Sequence, residues 1–294
     1  MQNIMKKTLL ASVFTFFSSV SLSAEIVVGG KNFTEQQLLT EITSQYLESK
    51  GFEIEKRSGM GSAVLRKAQE NGQVDIYWEY TGTSLISYNK FKEKIPSSEV
   101  YNKVKELDAK QGLVWMAPSS ANNTYAFAMQ RAKSEELGIY SLSDLAKSIK
   151  EGSGLSIAVN AEFYARDDGL KPLQKTYDFK FPRKDIKRMD SGLTYTALKE
   201  SKVDLALVFA TDGRIPAFDF VVLKDDKNFF PDYSVVPVIV EKTLKENPKL
   251  GTLLNDISAK INDASISKLN AEVDVDKKSI ESVSKKFLEE NGLL

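Results

Sequence analysis

From Glu25 onward the sequence alternates short apolar runs with amphipathic stretches, and this alternation constrains the fold more than any other feature. EIVVGG reads as a strand ending in glycines. NFTEQQLLTEITSQYLESKG puts Leu38, Leu39, Ile42, Tyr46 and Leu47 on one helical face and stops at Gly51. FEIEKRS alternates as a strand, GSAVLRKAQENG has helical period, and VDIYWEY is a third strand. Strand and helix in turn imply a mainly parallel sheet flanked by helices, so the fold class is α/β. The helix SSEVYNKVKELDAKQG and the strand GLVWMA extend the series. A second set follows: the strand NNTYAFAMQ, the helix SLSDLAKSIK, the strand LSIAVN, a helix near Asp168 to Tyr177, the helix GLTYTALKESK and the strand VDLALVFAT. AFDFVVLKDD and SVVPVIV are two more strands, and residues 241–294 are helical in period almost throughout.

The two sets echo each other. AQENGQVDIYWEYTG (68–82) and ALKESKVDLALVFATDG (197–213) both run from a helix end through Val-Asp into a strand ending in Thr and Gly. This suggests two similar lobes with a cleft between them, because open α/β sheets bind ligands at the carboxyl ends of their strands. No Gly- or Pro-rich linker divides the chain, so the expected crossings are strands near Ala126–Gln130 and Phe230–Ser234. The expected lobes are 25–127 with 232–294, and 128–231. Residues 1–24 read as a signal peptide: Lys6 and Lys7, the short apolar run TLLASVFTFFSSVSL, then small residues with cleavage near Ala24. That run is too short and Ser-rich for a membrane anchor, which takes roughly 20 apolar residues.

Composition enters by what it excludes. There is no cysteine, hence no disulfide, thiolate site or lipid-anchored Cys, and no histidine, hence no Ser-His-Asp triad or His-ligated metal. Neither a cofactor nor a metal is expected, and the chain is not expected to be an enzyme. Beyond residue 24 there are 38 basic and 40 acidic residues, which gives no support for nucleic-acid binding.

Aromatic residues stand where loops meet strand ends. Tyr80 precedes Thr-Gly-Thr, Tyr125 follows Asn-Asn-Thr, Tyr195 sits in the turn DSGLTY, and Phe218 follows DGRIP. Taken singly, such aromatics are more often half-buried core margins; converging, they would form a box for a quaternary ammonium, each contact worth roughly 0.5–2 kcal/mol. Lys31, between a strand end and a helix start, and Arg166 in NAEFYARDDGL are suited to an anion, as is the hydroxyl of Thr83. Asp75 and Glu79 share a strand face with Tyr77, which suggests local support rather than a hydrolytic pair.

The motifs VGGKNFTEQQLLTEI, VDIYWEYTGTSL, NNTYAFAM, SGLTYTALKESKVDLALVFATDGRI and VVLKDDKNFFPDYSVVPVI resemble the periplasmic binding proteins of ABC importers for glycine betaine, carnitine and choline. The resemblance implies a two-lobe, type II-like binding protein with the ligand in the cleft. Ligand-binding positions carried over are Lys31, Tyr80, Thr83, Tyr125, Arg166, Tyr195 and Phe218, the last standing where the family usually has tyrosine. It also implies a monomer in the periplasm whose partners are a small quaternary ammonium ligand and a membrane permease. The alternatives are a binding protein for another small zwitterion such as an amino acid, an exported carboxylate-dependent hydrolase, and a sensor or assembly factor without a ligand.

Overall fold

The computed structural model describes residues 25–294, and the expected signal peptide lies outside the described residues. Ten strands are named among the described residues: β1 (Ile26–Lys31), β2 (Ile54–Met60), β3 (Ile76–Tyr80), β4 (Leu113–Trp115), β5 (Tyr125–Gln130), β6 (Ile157–Val159), β7 (Ile186–Arg188), β8 (Leu205–Phe209), β9 (Phe220–Val222) and β10 (Val235–Val240). They form two five-stranded sheets, ordered β2-β1-β3-β10-β4 and β7-β6-β8-β5-β9. The two orders are equivalent. In each sheet three parallel strands meet one long antiparallel strand, β10 on β3 in the first and β5 on β8 in the second. A short strand closes the far edge, again antiparallel.

The expected α/β two-lobe architecture therefore holds, but the expected crossing at Ala126–Gln130 does not. β5 pairs with β8 on one side and β9 on the other, and Tyr125 to Met129 are all buried. Backbone groups bonded on both sides belong to a sheet interior, not to a link. The chain passes between the sheets over residues 116–124 and returns over 223–234, so a boundary at 127/128 falls inside a strand.

Helix Thr34–Ser49 shows why these residues fold as they do. Leu38, Leu39, Ile42 and Leu47 are fully buried, at spacings that put them on one face. Each such side chain contributes up to about 1.5–3 kcal/mol on leaving water. The tail helices close over the same element. Gln45 Nε2 donates to the Glu281 carbonyl at 3.1 Å, and Lys50 Nζ to that of Leu293 at 3.1 Å. Helix Asp263–Asp274 also touches the second lobe, where Asn270 Nδ2 donates to the Thr211 carbonyl at 3.1 Å and Asp274 pairs with Arg214 at 3.2 Å.

The Val-Asp step common to both halves has one structural meaning. Asp75 accepts from the Val27 N–H at 2.9 Å, and Asp204 from the Ser156 N–H at 2.8 Å. Each carboxylate ties the start of its strand to the start of the parallel neighbour. The strand ends are thereby brought level on the side where the sheets face each other.

Candidate functional site

Four parallel strands end at one place. β1 ends at Lys31, β3 at Tyr80, β8 at Phe209, and β6 is followed by Asn160; all four residues line a hollow between the sheets. The antiparallel strands begin there, since Tyr125 pairs with Phe209 and Val235, two residues after Tyr233, pairs with Tyr80. Five rings thus converge: Phe33, Tyr80, Tyr125, Phe209 and Tyr233. Neighbouring centroids are 6.2 Å apart for Phe33–Tyr80, 5.1 Å for Phe33–Phe209, 5.3 Å for Tyr125–Phe209 and 5.5 Å for Tyr125–Tyr233. The enclosed space is small, about 30 Å³. Burial raises the hydroxyls of Tyr80, Tyr125 and Tyr233 above the ordinary phenol value, so the rings stay neutral phenols.

Gly82 makes the close approach of Tyr233 possible. A Cβ there would stand 2.8 Å from the Tyr233 ring and from the Asp232 carbonyl. The short helix that follows, Thr83–Tyr88, is anchored from beneath by the buried Asp108. Asp108 accepts from Ser84 Oγ and from Trp115 Nε1, both at 2.8 Å, and from both Nη atoms of Arg66 at 2.7 and 2.8 Å.

The expected polar residues Lys31, Thr83 and Arg166 also line the hollow. Lys31 Nζ lies 2.6 Å from Glu79 and 4.8 Å from the centre of the Tyr80 ring. Glu79, fully buried, also accepts from Tyr77 Oη at 2.8 Å and from the Tyr80 N–H at 2.7 Å. Its role is support: it is the counter-ion that fixes the lysine. Arg166 stands 5.3 Å from the Tyr125 ring and 5.9 Å from that of Tyr233, gripping Asp168 with two hydrogen bonds and reaching Thr83 Oγ1 across the cleft. Trp78 faces the opposite side of β3 from Glu79 and donates its indole N–H to Thr43 at 2.9 Å within the core.

Two expected cage residues lie elsewhere. Tyr195, on helix Ser191–Lys199, is turned with Thr194 and Leu198 onto the second sheet and is fully buried. Its hydroxyl accepts from the Phe209 N–H at 2.8 Å, and Arg214 covers its ring at 3.9 Å. It holds the end of β8 without reaching the hollow. Phe218 follows the short helix Arg214–Ala217 and packs edge-on against Phe220 at 5.7 Å, with Lys199 Nζ 4.1 Å above it. The second-lobe phenylalanine in the wall is Phe209. The Val-Asp match already contained that residue: aligning Val74 with Val203 sets Tyr80 opposite Phe209. Phe33 and Tyr233 were missed as well, one lying at a helix start and the other in a link whose place depends on distant pairing.

Behind Tyr80 lies a buried acid. Glu35 accepts from Tyr80 Oη at 2.7 Å and Asn123 Nδ2 at 2.8 Å, and lies 2.5 Å from Thr211 Oγ1. These contacts join the first lobe, the link and the second lobe. Burial pushes the Glu35 carboxyl up from its ordinary value, and the hydrogen bonds from Thr211, Tyr80 and Asn123 only partly offset that.

A family model described as the substrate-binding domain of an ABC-type glycine betaine transport system matches residues 24–290. The chain is 43% identical over 300 residues to a glycine-betaine-binding protein of Pseudomonas aeruginosa, covering all of this chain and 96% of that one. It is 33% identical over 296 residues to a carnitine transport binding protein of Listeria monocytogenes, covering 97% and 94%. A solved structure described as a glycine betaine/carnitine/choline ABC transporter superposes with a TM-score of 0.75 at 28% identity, covering 92% of this chain and 99% of that chain.

Proposed function

The chain belongs to the family of substrate-binding domains of ABC-type glycine betaine transport systems, and from that premise we propose that it captures one small quaternary ammonium compound between its lobes and delivers it to the permease of an ABC importer. The observation that carries this reading is the convergence of Phe33, Tyr80, Tyr125, Phe209 and Tyr233, drawn from both lobes and the returning link, on one hollow. A trimethylammonium group donates no hydrogen bonds and is held by ring faces, each worth roughly 0.5–2 kcal/mol. Several such faces supply a large part of the ~8 kcal/mol of micromolar affinity. Lys31, Thr83 and Arg166 form the polar end of the same hollow.

About 30 Å³ is on the scale of roughly one or two waters, far less than a betaine. Entry therefore requires the lobes to part and to close again over the ligand. Tyr80, Phe33 and Lys31 come from the first lobe, Tyr125, Phe209 and Arg166 from the second, and Tyr233 stands in the returning link. Ligand bound to one lobe gains the second set of contacts only on closure, so binding shifts the population toward the closed form. In this reading the lobes are 25–115 with 235–294, and 125–222. The protein acts as a monomer, without catalysis, after export to the periplasm and cleavage near Ala24.

Calorimetric titration of the mature chain with glycine betaine, carnitine, choline and proline betaine tests the proposal. Saturable one-to-one binding of at least one is expected. Heat from an amino-acid panel alone would move the chain to a different ligand class, since a primary ammonium wants hydrogen-bond acceptors.

A further inference from the structure

The polar end of the cage holds a carboxylate of its own. Arg166 Nε and Nη2 donate to Asp168 at 2.6 and 2.7 Å, Nη1 and Nη2 reach Thr83 Oγ1 at 3.2 and 3.3 Å, and Nη1 donates to Glu162 Oε1 at 2.9 Å. A guanidinium has five N–H donors, and these five bonds use them all. Lys31, the other cation of the hollow, is bound to Glu79. A ligand carboxylate arriving at Arg166 meets no free guanidinium N–H and must replace a group already seated, one of the two acids or the Thr83 hydroxyl.

The two acids on Arg166 are not equally replaceable. Asp168 is buried, chelates the guanidinium and accepts from Tyr233 Oη at 2.5 Å. Glu162 lines the hollow itself, and its side chain is 38% exposed. It makes one bond to Arg166 and takes a second from Ser62 Oγ of the facing lobe at 2.8 Å. It can swing to solvent without leaving a charge stranded, whereas Asp168 cannot.

We propose that Glu162 is a specificity-determining residue: its carboxylate sits on Arg166 where a ligand's own carboxylate would bind, and so biases the site toward quaternary ammonium alcohols such as choline over carboxylate-bearing betaines. The inference rests on the quaternary ammonium reading above. A zwitterionic ligand displaces Glu162 and breaks its bond to Ser62 before it gains Arg166. A cationic alcohol leaves both bonds in place and gains the attraction of the nearby acid.

The test is calorimetry of choline and glycine betaine on the mature wild-type chain, Glu162→Ala, Glu162→Gln and Ser62→Ala. The readout is the ratio of the two dissociation constants, which a merely structural role would leave unchanged while both affinities fell together. Glu162→Ala should shift that ratio toward glycine betaine by at least tenfold. Glu162→Gln, which removes the charge but keeps the bulk, should shift it less. Ser62→Ala, which frees Glu162 from its anchor, should give the smallest shift in the same direction. An unchanged ratio in Glu162→Ala, with both ligands still bound, overturns the assignment and leaves the cage standing. Binding of neither ligand by the wild type overturns both.

Discussion

The two lobes are built to one plan and put to different uses at the same place. Each has an equivalent strand order, an Asp tying neighbouring strands and an aromatic at the end of its central strand, Tyr80 in one and Phe209 in the other. The difference lies behind the rings. Tyr80 uses its hydroxyl to bond Glu35 and Gln36 within the first lobe. Phe209 has no hydroxyl, and the polar support comes from Tyr195, which accepts from its backbone N–H. One lobe fixes its ring by the side chain and the other by the main chain. A repeated fold thus preserves where a residue stands without preserving how it is held.

The largest effect should come where the lobes meet. Tyr125 opens β5 and touches Phe163, Phe209, Phe230 and Tyr233. Tyr125→Ala should cost about 3–5 kcal/mol of stability by chemical denaturation and abolish ligand binding. A variant that retains near wild-type affinity would mean that the Tyr125 ring contributes nothing to ligand capture.

The reciprocal exchange sharpens the contrast between the lobes. Tyr80→Phe leaves the buried Glu35 and Gln36 each short of a partner, so a loss of about 1–3 kcal/mol is expected in the denaturant midpoint. Phe209→Tyr adds a hydroxyl to a wall that also carries the polar side chains of Asn123 and Ser191, and should change stability by less than about 1 kcal/mol. Equal costs would show that the two rings are held alike.

The burial of Glu35 where it meets Thr211 makes the junction sensitive to pH. A carboxyl raised by burial favours the protonated native form. Its contribution is complete below the ordinary value of 4.5 and is lost as pH rises through the raised native value. Glu35→Gln is neutral throughout, so its melting temperature relative to wild type should climb as pH rises from about 4.5 to 8. A constant difference would remove the protonated carboxyl from the account.

The smallest effect is expected at Phe218. Phe218→Ala should leave ligand affinity within about twofold, because the ring packs on Phe220 and Lys199 outside the hollow. A clear loss of affinity would return Phe218 to the cage.

These residues also mark what the sequence could reveal. Strand-and-helix alternation disclosed nine of the ten strands, because buried β-branched runs next to amphipathic helices leave a strong periodic trace. β7 escaped, being three residues long with two of them charged and exposed. Lys31, Tyr80, Thr83, Tyr125 and Arg166, which line the hollow, were legible as candidates because polar or amphipathic side chains beside strand ends look out of place in a core. Phe209 was not, since LALVFAT reads as plain core. Tyr195 misled for the opposite reason: a turn residue in the sequence, it lies on the inward face of a helix. Tyr233 owes its place to the pairing of β10 with β3, a contact between residues more than 150 positions apart that no local pattern encodes.

The most direct test compares choline with its uncharged isostere, 3,3-dimethylbutan-1-ol, by calorimetry on the mature wild-type chain. The two share shape and hydroxyl and differ in the charge that the rings are proposed to hold. Choline should bind at least about thirtyfold more tightly, the equivalent of ~2 kcal/mol from the ring faces. Equal affinities would contradict the cage, leaving a hollow that recognises shape alone.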